Sequence, residues 1–290
     1  MSSLEEISNH IVVDKKTQYE SRSCVLGGIS LGKYSIAIDS GDSLEAGTGL
    51  RKGLESYFKV PVKYLFLTHT HNDHRGGRDA FNDLTLIASN KCIDNMPKRI
   101  SFSKWKKELF DQELIIQEDK LSVEFHLVGG HSIGFSIAYF PNERILFAGD
   151  LFITEPINFG LPFMGFYQNN PKRTGNPEEY LAAFEKFKLM KIDIIVPGHG
   201  ELILNPRKYL DEQSSFYKSL KSFFVTEIEE GKELEEIKMP VLKPFERAHE
   251  IIESKTKKSQ ALRFLDNYFN WIKKSFYNYY SGEFEKLGNS

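Results

Sequence analysis

The chain has 290 residues, 40% hydrophobic and 27% charged, a globular profile long enough for one large domain or one domain with an appendix. Its net charge of -2 argues against a protein that grips phosphate backbone, and two cysteines, Cys24 and Cys92, exclude a disulfide framework or a cysteine-rich zinc site. No run approaches the roughly 18 apolar residues of a membrane span, and Met1 to Asn9 lacks the basic start and apolar run of a signal peptide, so the expected location is cytoplasmic with no membrane partner.

Residues 10 to 41 read as strands, with runs at Ser23 to Leu26 and Tyr34 to Ile38 joined through glycines. Leu50 to Phe58 reads as a short helix stopped by Pro61. Val62 to Leu67 is a buried-type strand running into Thr68-His69, and Leu84 to Ala88 is another. The segment Lys98 to Lys107 gathers five basic residues around Trp105, and the acids that follow make it read as a solvated helix face rather than a nucleic-acid patch. Strands follow at Val123 to Val128, Phe135 to Phe140 and Ile145 to Ala148. Asn176-Pro177-Glu178-Glu179 is a helix start, with a capping side chain, proline at the first helical position and acids near the positive helix end. Asp193 to Val196 is the last strand. Beyond residue 204 the β signal stops, and Arg207 to Glu230, Phe245 to Lys257 and Ala261 to Tyr280 read as helices. The domain reading is therefore a body over 1–204 and a helical extension over 205–290.

Five of the eight histidines lie in short motifs. In His69-Thr70-His71-Asn72-Asp73-His74, positions i and i+2 of an extended chain face the same side, so His69 and His71 can converge on one ion. Asp73 and His74 follow as the chain turns away and can face a second ion. Such clustering of imidazoles and a carboxylate is costly unless something binds them, and neutral imidazole is the usual ligand for zinc and similar metals. Single ligand-capable side chains then recur beside glycine at strand ends: Gly130-His131, Gly149-Asp150 and Gly198-His199-Gly200. Alone, His131 and His199 would pass as loop histidines and Asp150 as a turn or capping residue; their order within the set promotes them.

Together these motifs resemble the metallo-β-lactamase superfamily over about residues 10 to 204. Ile38-Asp39-Ser40-Gly41 looks like its early aspartate motif, and Gly76-Gly77 also fits. The resemblance implies an α/β fold, a four-layer αββα sandwich, here with a C-terminal helical extension. It implies that His69, His71 and His131 hold one metal, that Asp73, His74 and His199 hold a second, and that Asp150 bridges them. It also implies a dinuclear hydrolase, in which a metal-bridging hydroxide oriented by Asp73 attacks a small ester, thioester or lactone. Two zinc ions are the expected cofactors, although iron and manganese suit the same donors. Asp150 and the polar start set the chain apart from the true β-lactamases, and His71 from the flavodiiron proteins, which carry glutamate there. Thioesterase-like and lactonase-like members are the nearer models.

The alternatives are a phosphodiesterase or ribonuclease of the same fold, against which the weak net charge argues, and a non-catalytic metal-containing ligand sensor or effector. The partner expected is a small-molecule substrate. Phe163, Phe166 and Tyr167, a few residues past Asp150, read as an apolar wall or lid over that substrate, or as packing against the helical tail. The aromatic tail, from Phe264 through Tyr268, Trp271, Ile272 and Phe276 to Tyr280, is too apolar for an exposed helix and should cover the body, roof the site or form a homodimer. His10, His126 and His249 read as structural or surface residues, and the two cysteines as packing residues.

Overall fold

The computed structural model describes residues 4–15, 24–154, 175–240 and 258–283, with side chains in the last stretch from Asn267 onward. Phe163, Phe166, Tyr167, His249 and the helix expected over Phe245 to Lys257 lie outside the described residues.

Two sheets form the centre. The first has seven strands in chain order: β1 (Glu5–Ser8), β2 (Ile11–Asp14), β3 (Leu26–Ser30), β4 (Ser35–Ile38), β5 (Val62–Phe66), β6 (Thr85–Ser89) and β7 (Lys106–Phe110). It is antiparallel as far as β4 and parallel from β4 to β7. Helix α1 (Leu44–Phe58) makes the first parallel crossover, and α2 (Asn72–Arg75) and α3 (Asn90–Asp94) lie in the connections around β6. The second sheet has the order β12-β11-β10-β9-β8, built from β8 (Glu113–Glu118), β9 (Leu121–Leu127), β10 (Ser136–Phe140), β11 (Ile145–Ile153) and β12 (Ile194–His199). It is antiparallel except for the β11–β12 pair, which α4 (Pro177–Leu189) connects. Helices α5 (Pro206–Glu229) and α6 (Lys258–Tyr280) follow.

Side-chain alternation assigns each strand face to a layer. Ile11, Val13, Ile36, Phe66, Phe125, Phe140 and Phe147 fill the space between the sheets. Their neighbours Val12, Ala37 and Leu65 point outward and pack on Leu50 and Leu54 of α1. On the other side, Ile137, Leu146 and Ala148 meet Tyr180 and Phe184 of α4, Tyr217 and Phe224 of α5, and Tyr268, Ile272 and Phe276 of α6. This is the four-layer αββα arrangement, and the tail aromatics of α6 are part of its outer core. No helix among the described residues is long and apolar enough to cross a membrane.

Three local expectations change. Helix α1 begins at Leu44, not Leu50, because Ser43 caps it by accepting from Ala46 N; Gly47 and Gly49 obscure that start in the sequence. Lys106 and Lys107 lie on β7, an edge strand of the sheet, and not on a helix; exposed lysines at a sheet edge discourage pairing with another chain. Strand β11 runs through Asp150 to Ile153 instead of ending at Ala148, with register shifts on either side of Gly149.

Candidate metal centre

The polar loops at one edge of both sheets converge. From the first sheet, β5 delivers His69 and His71, and α2 carries Asp73 and His74, with His71 at its N-cap. From the second, His131 follows β9, Asp150 lies in β11 and His199 ends β12. The β11–β12 register shifts on both sides of Gly149, the residue before Asp150.

The seven side chains fall into two groups that share Asp150. One is His69, His71, His131 and Asp150; the other is Asp73, His74, Asp150 and His199; within each group the donor atoms lie within 4.8 Å of one another. Asp150 Oδ2 is 3.4 Å from His131 Nε2 and 3.8 Å from His69 Nε2. Asp150 Oδ1 is 3.0 Å from His74 Nε2 and 3.5 Å from His199 Nε2. His71 Nδ1 meets His131 Nε2 at 3.0 Å, and Asp73 Oδ2 lies 3.1 Å from His199 Nε2. Every site residue expected for the metals is brought together.

Burial makes this arrangement costly in isolation. His69, His74 and His131 are fully buried and Asp150 nearly so. His69 Nε2, His74 Nε2 and Asp150 Oδ1 have no hydrogen-bond partner. A buried polar atom left unsatisfied costs about 1–3 kcal/mol, so three such atoms in two donor groups that share Asp150 call for cations there. Imidazole nitrogens with carboxylate oxygens are the donors that divalent transition metals take, so the residues fit such an ion.

Hydrogen bonding behind the centre fixes which nitrogen the His74 and His69 rings present. His74 Nδ1 lies 2.7 Å from Asp39 Oδ2, and a carboxylate only accepts, so Nδ1 donates and Nε2 faces the cluster. Thr68 Oγ1 lies 2.8 Å from the same Asp39 oxygen and 2.9 Å from His69 Nδ1. Its one proton goes to Asp39, so it accepts from His69 Nδ1–H, and His69 Nε2 also keeps its lone pair for the centre. Asp39 itself sits at a left-handed φ of 57°, held by Thr68 N, the Thr68 hydroxyl and His74. Arg75 Nε donates to Thr70 O at 2.6 Å across the motif. Thr68 and Arg75 were not singled out by sequence reasoning. Their sequence signal is adjacency alone, because each borders the histidine motif.

The electrostatics agree. Burial holds the His69 imidazole well below its ordinary value and, with the neighbouring His131, brings His71 down to about 3. Burial opposes charge on His74 as well, yet Asp150, Asp73 and Asp39 around it hold its proton well above the usual imidazole range. That negative field favours a positive charge at this point, a proton or a metal ion. Burial works to raise the Asp73 carboxyl, but His74 and His199 outweigh it and hold it down at about 2.

At Gly198 the chain passes so close to Asp150 that an added Cβ would lie 1.9 Å from Asp150 Oδ1. The His199 loop is also pinned from two sides: Val25 N donates to Gly198 O at 2.7 Å, and Thr154 N to His199 O at 2.8 Å. Cys24 and Cys92 are buried free thiols, both pushed up to about 12 by burial, as packing residues would be.

Comparison with known proteins agrees with this fold. A beta-lactamase-like protein 2 homolog from Caenorhabditis elegans is 24% identical over 186 residues, 63% of this chain and 58% of its own. A hydroxyacylglutathione hydrolase from Psychromonas ingrahamii is 31% identical over 121 residues, 42% of this chain and 43% of its own. The chain thus spans about half the length of these relatives. Among solved structures, a metallo-beta-lactamase from Pontibacter korlensis shares the fold, with a TM-score of 0.57, 21% identity, and coverage of 74% of this chain and 98% of the other. The model of the metallo-beta-lactamase superfamily, whose members are mostly hydrolases, matches residues 29–199, and the chain belongs to that superfamily.

Proposed function

We propose that this chain is a dinuclear metal-dependent hydrolase of a small ester, thioester or lactone, with zinc as the native metal. The observation that carries the reading is the pair of four-residue donor groups sharing Asp150, with buried nitrogen and oxygen atoms that lack a hydrogen-bond partner. His69, His71, His131 and Asp150 would hold one ion, and Asp73, His74, His199 and Asp150 the other. When bound, the ions would supply Lewis acidity, both for a nucleophile at neutral pH and for the charge that develops on the substrate carbonyl oxygen.

The chain's own residues do the positioning. Asp73 is the more open carboxylate, its side chain 30% exposed against 5% for Asp150. It orients the attacking water from the open side, and His74 and His199 beside it hold its carboxyl down at about 2 against the cost of burial, so it stays an acceptor at neutral pH. Asp150, buried, holds the two groups of imidazoles at a fixed separation. The similarity to a hydroxyacylglutathione hydrolase, an enzyme named for an acyl-glutathione substrate, supports carbonyl chemistry over phosphodiester cleavage.

The test is a panel of thioesters, lactones, carboxylic esters, phosphodiesters and single-stranded RNA, offered to purified zinc-loaded protein. Turnover of one or more of the first three classes is expected. Cleavage of the phosphodiesters or RNA alone would replace this reading with the nuclease one. Binding without turnover of any class would make the chain a sensor.

A further inference from the structure

We infer that Glu179 is a positioning residue for one half of the metal centre: its carboxylate fixes the Gly129–Gly130 turn and so places the His131 imidazole. The inference rests on the metal reading above. Glu179 Oε2 accepts the Gly130 N–H at 2.8 Å, across 49 residues of sequence. The turn has two successive left-handed glycines, at φ 69° and 90°. Behind it, Val128 N and Gly129 N both donate to Phe135 O at 3.0 Å, which closes the loop on itself. The Gly130 N–H, in contrast, is met from outside by a side chain.

The surroundings are shaped for that contact. A Cβ at Gly129 would fall 2.2 Å from Glu179 Oε2, so glycine leaves the space that the carboxylate occupies. A Cβ at Gly175 would fall 1.5 Å from Gly130 O, so the backbone just before the α4 cap packs directly on the turn. Tyr180, the residue after Glu179, flanks Gly130 from the same helix. The turn that precedes His131 is thus seated on the start of α4, and His131 serves only the group with His69 and His71.

The competing role for Glu179 is an acid near a helix N-terminus, already capped by Asn176 accepting from Glu179 N. Charge and reach separate the two. Glu179→Gln keeps an acceptor at the same reach and loses the charge. Glu179→Asp keeps the charge and withdraws the acceptor from Gly130. Glu178→Ala removes an acid from the same helical turn, one that accepts from Tyr280 of α6 and pairs with Lys221 of α5 instead of meeting the His131 turn.

The experiment is a cobalt(II) titration of metal-free full-length protein, read by visible absorption and chelator competition, with the melting temperature of each variant. Wild type should take two equivalents. Glu179→Ala and Glu179→Asp should lose about 10- to 100-fold in affinity for one equivalent and keep the other. Glu179→Gln should bind like wild type, and Glu178→Ala should melt earlier with both affinities intact. If Glu179→Ala does not fold, Glu179→Asp decides. Wild-type affinities in Glu179→Asp, equal losses at both sites, or a Glu179→Gln as weak as Glu179→Asp would overturn the inference and leave the metal reading standing. No cobalt uptake by wild type would remove both.

Discussion

Asp39 Oδ2 receives the Thr68 hydroxyl at 2.8 Å and His74 Nδ1 at 2.7 Å, so one buried carboxylate governs a histidine in each donor group. Glu179 acts on one group; Asp39 reaches both. Asp39→Asn is expected to fold, since an amide oxygen can still accept. Its amide hydrogens would face groups that donate, and affinity for both metals should fall about 10- to 100-fold, measured by chelator competition. Unchanged affinity would show that the ring tautomers are set elsewhere. Asp150→Ala removes the one ligand common to both groups and should abolish turnover and lower bound metal in elemental analysis, while circular dichroism stays native-like. At this scale the ligands were legible, because histidine and aspartate beside glycine at strand ends form ordered motifs. The residues behind them were not. Asp39 carried its motif, but Thr68 is an ordinary strand-end residue, and the pairing of Glu179 with Gly130 spans 49 positions with no local mark.

The elements set how far the loops can adjust. Gly198 brings the β12 end against Asp150, where a methyl group would lie 1.9 Å from Oδ1 and 2.8 Å from Asp150 N. Gly198→Ala should therefore displace Asp150 and cost most of the activity, which a turnover assay on a folded variant would show; wild-type turnover would mean that the loop yields. Several strands could be read from apolar runs and alternation, as at Tyr34 to Ile38 and Val62 to Leu67, whereas the αββα layers followed only from the family resemblance and the strand order was not legible. The β7 and β8 strands escaped detection because their exposed faces are charged and interrupt the apolar period, as at Lys106, Lys107 and Glu113. The start of α1 escaped because glycines stand where its apolar face begins. For the strands an adjoining strand outweighs local propensity, and for α1 the Ser43 cap does.

The molecule as a whole joins the C-terminal helices to the αββα body through an aromatic core. Phe276 is fully buried and stacks on Phe224 with ring centroids 5.4 Å apart. Phe276→Ala should cost about 3–5 kcal/mol of stability, seen as a lower melting temperature, with metal content retained. The sequence foretold that this surface is covered but could not choose what covers it, because an amphipathic helix carries no record of its partner; in the structure it is the body. Metal binding and folding are also linked: an ion that binds only the folded chain stabilises it, so chelation should lower the melting temperature of wild type and barely move that of Asp150→Ala. The most direct test of the central claim is metal content against hydrolysis in one preparation. The account predicts about two equivalents of divalent metal per chain, hydrolysis of an ester, thioester or lactone that disappears when the metal is stripped, and recovery on adding zinc. Full activity in metal-free protein would contradict it.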